Sequence, residues 1–368
     1  MRRLVECLPS AGDHNDAGVE IVADIQPDPR QFPVQTGVGG IEHLGTVDGF
    51  EERDTMSLQL IGVSLAAIFH QGMLDVRAMK HNARQVEQLG FDAVWSGDHI
   101  IMHNPMLDVM TVLATYAAVT DRVKIGTSVY LMPLRHPVVT AKQVVSLDLL
   151  SEGRFVFGVG VGGEIGREFE AVGVPVHERG RRTDEGLEIL TRVLSQDNVT
   201  YEGKHYQIRN VTLAPRPQQH PYPPIWVGGR SDAAVRRAAR FGNGWIGYLN
   251  SSKRLHEAMQ QIQELAPTFG RNPAEMRGGM LLFTALANNY ETAKQMAIDN
   301  LSRRYNQPFD KLVDRYCILG TPDQCLEKLQ TYIDAGMSNV VFGFACPSEQ
   351  TSEQIEQCAK EILPSLRR

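Results

Sequence analysis

Three short segments of this chain gather residue types that could do chemistry. In WSGDHI, Asp98 and His99 stand where a β-rich run ends, with His103 four residues further on. An imidazole at a strand mouth can take or give a proton near neutral pH, and Asp98 could orient it or hold a ligand. A histidine satisfied inside its own loop fits the same pattern. In RFVFGVGVGGE, residues 154–164, an apolar run meets Gly158, Gly160, Gly162 and Gly163 and then the carboxylate of Glu164. Bare backbone lets N–H groups approach a ligand closely, and ligands of α/β proteins gather at the carboxyl ends of parallel strands. Gly158, Gly160 and Gly163 also match the dinucleotide-binding spacing, and a tight turn would use the same residues. In PPIWVGGRSDAAV, Gly228 and Gly229 close a run and Ser231 opens a helical one. Free N–H groups at that helix start would bind a phosphate, with the Ser231 hydroxyl and the Arg230 charge beside them. The plainer alternative is a helix cap at Ser231, with Asp232 repelling an anion unless it is turned away.

Other residues are candidates of lower information. Thr127, Ser128 and Val129 fall near the end of a third run and could present hydroxyls and backbone to a flat ring, though all three are common strand residues. Arg135 and His136 could meet an anion or cap the helix that Pro137 opens. Glu164 reads as a possible acid or base, whereas Glu168 reads more readily as part of a solvated helix face. Arg179, Arg181 and Arg182 open a helix, where cations oppose the dipole unless an anion is near; Arg182 is taken as a cofactor contact. Neither H-x-H nor H-E-x-x-H occurs, so no metal site is expected.

Eight β-rich runs alternate with amphipathic segments: 60–65, 93–97, 123–131, 154–160, 224–228, 244–248, 280–287 and 339–344. Between and after them, helical patterns cover 74–89, 107–119, 138–150, 182–194, 232–241, 253–265, 321–335 and 352–363. Eight βα units are the count of a (β/α)8 TIM barrel, an α/β fold. The gap between the fourth and fifth runs is too long for one helix. YEGKHYQI within it suggests a hairpin around Glu202, Gly203 and Lys204. A second excursion, expected to be helical, spans 290–319, and both would form inserted loops at the barrel mouth. Residues 1–57 lack sustained period and read as an N-terminal extension, so the functional domain is expected over 58–368.

Composition narrows the partners. With 368 residues and a net charge of -6, the chain has no electrostatic footprint for nucleic acid, and no apolar run long enough for a membrane span. The 5 cysteines form no C-x-x-C pair and read as reduced thiols of a cytoplasmic protein. A dinucleotide-binding dehydrogenase is disfavoured, because its glycine motif should open the first βα unit and here three strands precede it.

The order of segments GFDAVWSGDH, VKIGTSVYLMPLRHPVVTAKQVVSLDLLSEGRFVFGVGVGGE, EFEAVGVPVHERGRRTDE, PPIWVGGRS and GNGW resembles the luciferase-like family of FMN-dependent monooxygenases and deazaflavin F420-dependent oxidoreductases, from about Leu58 onward. The resemblance implies a (β/α)8 barrel with FMN or F420 across the mouth, His99 as the catalytic histidine, and Asp98 beside the ring. It also implies a non-prolyl cis peptide at Ser128-Val129. Gly160, Gly162, Gly163 and Glu164 correspond to the mouth of the fourth strand, and Gly228, Gly229 and Ser231 to the phosphate loop. The motifs are nearer the F420-linked branch, implying hydride transfer to or from a small organic substrate. The alternatives are an FMNH2-dependent monooxygenase that activates O2, and a non-catalytic flavin-binding barrel acting as carrier or sensor. A homodimer and a separate flavin or F420 reductase are the partners the resemblance implies.

Overall fold

The computed structural model describes residues 58–66, 69–70 and 73–367. The expected extension over 1–57 lies outside the described residues. Eight parallel strands close into a ring: β1 Leu60–Ser64, β2 Ala93–Ser96, β3 Lys124–Thr127, β4 Phe155–Gly160, β5 Ile225–Gly228, β6 Gly244–Tyr248, β7 Arg277–Leu286 and β8 Asn339–Phe344. Each pairs with the next, β4 pairs with β5, and β8 returns to β1 with Leu60 opposite Asn339. Every residue of β2, β4, β5 and β8 is buried, because helices cover the outside and side chains fill the inside. That is why these strands read as nearly continuous apolar runs rather than alternating ones. This is the (β/α)8 barrel that the count of runs predicts.

Local signals start the covering helices where the barrel needs them. Helix α1 (Val76–Gln88) is capped by Asp75, whose carboxylate accepts the Ala78 N–H at 2.9 Å. Helix α2 (Val109–Ala117) is capped by Asp108. Helix α3 (Pro137–Leu150) has proline at its first position and the imidazole of His136 accepting the Val138 N–H. Helices α4 (Arg179–Ser195), α5 (Asp232–Phe241), α6 (Ser252–Leu265), α7 (Pro322–Ile333) and α8 (Thr351–Glu361) complete the outer layer. A capping box between Thr321 and Gln324 opens α7.

Two indoles fill the barrel interior. A methyl group on Gly62 or Gly126 would lie 2.5 or 2.2 Å from the Trp95 ring, and one on Gly244 or Gly279 would lie 2.8 or 2.7 Å from Trp226. Each tryptophan of one strand therefore needs bare backbone on other strands of the ring. With Ala93, Val156, Ile246 and Val341 they make the floor beneath the mouth.

The third run differs from its expected single strand. β3 stops at Thr127, the chain turns at a cis Ser128-Val129 peptide, and Tyr130–Leu131 resumes pairing with β4. The cis bond is the one the family resemblance implied. The hairpin is present as antiparallel strands Val199–Glu202 and Gln207–Val211, and its turn reaches α4, where Glu185 accepts the N–H groups of Lys204, His205 and Tyr206. The second excursion is helical over Tyr290–Tyr305 but ends in a short strand, Ile318–Gly320, paired to β7. Its apolar side, including Leu301, Phe309 and Val313, packs on Leu249, Phe283 and Ala345 at the carboxyl ends of β6, β7 and β8, so it roofs that side of the mouth.

Candidate active site

His99 follows β2 at the carboxyl end of the barrel, and its side chain retains 18% of its exposure. Its Nδ1 lies 3.1 Å from Oε1 and 3.3 Å from Oε2 of Glu168. Glu168 belongs to a six-residue helix, Gly166–Ala171, laid over the mouth after β4, and it is completely buried. Its second oxygen accepts the Ile100 N–H at 3.2 Å, so one carboxylate fixes both the ring of His99 and the loop that carries it. With the Nδ1 proton directed at Glu168, Nε2 is left without a partner among the described residues, on a side chain that stays 18% exposed. Burial opposes charge on the imidazole. The hydrogen bond and charge of Glu168, helped by Glu164 and Asp98, outweigh that burial and raise its pKa above the ordinary histidine value. Sequence reasoning assigned Glu168 to a solvated face. It is instead the group that orients the histidine, and no local pattern announces it because the partner is 69 residues away.

Asp98 occupies a different position from the one its neighbour suggests. Its carboxylate, 2% exposed as a residue, accepts two hydrogen bonds from Arg135, at 2.5 and 2.9 Å, and one from the Leu131 N–H at 2.9 Å. Those donors engage both oxygens, so Asp98 locks the third loop to the second instead of presenting a free acid to a ring. Arg135, read as an anion contact or cap, is its partner and stacks 4.5 Å from the Tyr130 ring centroid. Thr127 is also committed: it is fully buried and its hydroxyl donates to the Gly158 carbonyl at 2.6 Å.

The glycines divide into two kinds. At Gly160 and Gly228 an added methyl would lie 2.5 and 2.6 Å from Val129, so the bare backbone of β4 and β5 admits that valine from the cis bulge. A ligand would meet Val129 before it met these two glycines. Gly162, Gly163 and Gly229 have φ of 60°, 115° and 139°, conformations that side-chain-bearing residues rarely adopt. The Trp245 indole donates to the Gly229 carbonyl at 3.0 Å and holds that loop. Ser231 caps α5 through the Ala234 N–H, as the plainer alternative had it. Asp232 is turned away onto Arg254 at 2.7 Å, which removes the electrostatic objection to an anion at this helix start.

The rim arginines sort differently from expectation. Arg182 pairs with Glu178 at 2.9 Å and lies over the Tyr206 ring, so its charge is already answered by the anion the helix start required. Arg179 lies over Gly163, its Nε within 2.8 Å of where a methyl there would stand. Arg230 stands over the Tyr248 ring at 5.6 Å. Glu164 is exposed, and its charge reaches His99, Tyr248 and Tyr305. The structure therefore gathers His99, Glu164, Ser128, Val129, Gly162, Gly163, Gly229 and Arg230 around one mouth, while Asp98, Thr127 and Arg182 serve its frame. Tyr248, which no motif marks, is the last residue of β6, and the ends of barrel strands are where such folds carry chemistry.

A barrel whose mouth carries a glycine-lined helix start on one side and a carboxylate-oriented histidine on another has the layout of a cofactor-dependent enzyme. The luciferase-like monooxygenase family model matches residues 61–339, and the chain belongs to that family. It is 26% identical over 314 residues to the F420-dependent glucose-6-phosphate dehydrogenase of Kineococcus radiotolerans, an alignment covering 77% of this chain and 91% of that one. Among solved structures, monooxygenase RslO1 from Streptomyces bottropensis superposes with a TM-score of 0.73 at 24% identity, covering 83% of this chain and 99% of that one. The F420-dependent tetrahydromethanopterin reductase from Methanopyrus kandleri superposes at 0.69 with 21% identity, covering 84% and 99%.

The residues present suit a flat ring with an anionic tail. The Ser128 hydroxyl oxygen is buried with no hydrogen-bond partner among the described residues, an unmet polar atom on the bulge beside Val129. Ser231 takes the Ala234 N–H, which leaves the N–H groups of Asp232 and Ala233 at the start of α5 without an acceptor among the described residues, and Arg230 precedes them in the chain.

Proposed function

We propose that this chain is an F420-dependent oxidoreductase that moves a hydride between the deazaflavin and a small organic substrate. Bound F420 supplies or accepts the hydride; the residues of the chain do the rest. Val129 and the Ser128 hydroxyl would back the ring, and Gly229, Arg230 and Ser231 would hold the phosphate. His99, its Nδ1 held by Glu168, would exchange the accompanying proton with substrate oxygen through Nε2. The observation that carries this reading is the His99–Glu168 pair. A buried carboxylate that fixes the tautomer and supports the charged form is what a proton-transferring imidazole requires, and it argues against a barrel that only carries a cofactor. That the curated relative is F420-dependent supports F420 over FMN. No helix among the described residues is long and apolar enough to cross a membrane, and the four described cysteines are free and buried, which supports a reducing cytoplasm. A second copy of the chain is the proposed protein partner, on the strength of Val139 and Leu150, which stand 56% and 67% exposed on α3.

The test is a titration of the purified protein with F420, FMN and reduced FMN, followed by fluorescence or heat. F420 should bind tightest. Preference for reduced FMN, with consumption of O2, would replace hydride transfer by the monooxygenase alternative.

A further inference from the structure

Across the ring from His99 stands a wall of aromatic side chains that the site described above does not use. β6 lies four strands from β2, diametrically opposite in a ring of eight. Along β6, Gly244 and Ile246 face the interior, so Tyr248, two residues on, faces the mouth. Tyr248 meets Phe283 edge-on at 6.3 Å, Phe283 meets Tyr305 at 6.1 Å, and Tyr305 packs on Phe309 at 5.4 Å. The ladder fixes the rings, since each is held by the next and the last belongs to the roofing excursion.

This wall carries two phenol hydroxyls at the carboxyl ends of the strands. Tyr130 bonds Thr140, Tyr332 donates to the Asn250 carbonyl, and Tyr290 donates to Asp314. Tyr248 and Tyr305 have no hydrogen-bond partner among the described residues. The hydroxyls of Tyr116, Tyr201, Tyr206, Tyr222 and Tyr316 lack one too, but Tyr116 is sealed in the core at 0% exposure, and of the unbonded phenols it is Tyr248 and Tyr305, both half-buried, that the charge of Glu164 reaches. Glu164, at the mouth after β4, is exposed, and its charge reaches both phenols and His99.

Building on the oxidoreductase reading above, we propose that Tyr248, with Tyr305 beside it, is the substrate-side hydrogen-bonding group of this mouth, and that it selects an uncharged carbonyl or hydroxyl compound. Burial raises the Tyr248 phenol, so it stays a protonated donor throughout the working range. The exposed carboxylate of Glu164 opposes an anionic group at this mouth. Of the guanidiniums near this wall, Arg304 lies over Phe283 and donates to the Phe344 carbonyl, while Arg230, over Tyr248, is the one assigned above to the cofactor phosphate.

The test uses the cofactor-loaded enzyme and calorimetric titration with cyclohexanone, cyclohexanol and 2-cyclohexen-1-one, set against glucose 6-phosphate and benzoate. At least one neutral compound should bind saturably. Tyr248→Phe should weaken it about tenfold, the worth of one hydrogen bond, while the affinity for cofactor stays unchanged. Tyr116→Phe should change neither. Binding by the anions alone, by no member of the panel, or equally by wild type and Tyr248→Phe overturns the proposal while leaving cofactor use intact. A wild type that takes up neither F420 nor FMN overturns both.

Discussion

Glu168 fixes His99: Nδ1 sits 3.1 Å from Oε1, with the carboxylate fully buried and its other oxygen on the Ile100 N–H. The histidine is thus presented with one nitrogen occupied and one free. Replacing His99 with alanine should lower turnover by about 10²–10⁴-fold, the usual worth of general acid–base catalysis. Cofactor affinity measured by fluorescence should fall far less; equal losses in the two would contradict a proton-transfer role.

The pH profile should report the same pair. Glu168 raises the imidazole, so the limb assigned to His99 is expected above the ordinary value of about 6.5. Glu168→Gln removes the charge and leaves burial, which lowers it, and the limb should move to lower pH. Linkage gives a second readout. A raised pKa in the folded state adds stability that is fully present below about pH 6.5 and lost as pH rises through the folded value. The wild-type advantage over Glu168→Gln in thermal melts should therefore be larger at pH 5.5 than at pH 9.

Asp98→Asn should destabilise without imitating His99→Ala. It removes the charge from a buried pair and leaves the Arg135 guanidinium, 15% exposed, facing an amide. Breaking such a pair costs roughly 3–5 kcal/mol. A denaturant titration should show the loss, and converting Arg135 to methionine in the same chain should recover part of it.

Gly228→Ala should clash with Val129, because its methyl would lie 2.6 Å from Cγ1. The expected loss is about 1–3 kcal/mol. Adding Val129→Ala should restore the melting temperature of the Gly228→Ala chain, since the contact at fault is with the valine methyls. If the double variant is no better than the single one, the glycine is bare for some reason other than the valine.

Leu150→Glu on α3 should shift sedimentation from dimer to monomer if a second copy covers this face, with little change in the far-ultraviolet spectrum.

The ring of eight strands was legible because strands buried on both faces must be apolar throughout, and caps such as Asp75 and the Thr321–Gln324 box lie next to the helices they start. The positions of His99, Glu164 and Gly229 followed from strand ends. What the sequence did not disclose depends on contacts across the chain. Glu168 looks solvated until its short helix folds over the mouth, and Asp98 and Arg135 are 37 residues apart. Arg182 finds its anion in Glu178 one turn earlier, a pair that i,i+4 spacing allows but does not require. The break in β3 was visible only through family likeness, because Thr, Ser and Val are all good strand residues.

All 3 tryptophans of this chain are out of water: Trp95 and Trp226 fill the interior, and Trp245 bonds the Gly229 carbonyl from the outer face. The protein therefore carries its own optical reporter. Emission from the native state should lie at short wavelength and move red on denaturation, giving a label-free signal for every melt described above. Because one indole is a single hydrogen bond from the helix-start loop, its intensity should also register an anion settling there, without any reaction having to occur.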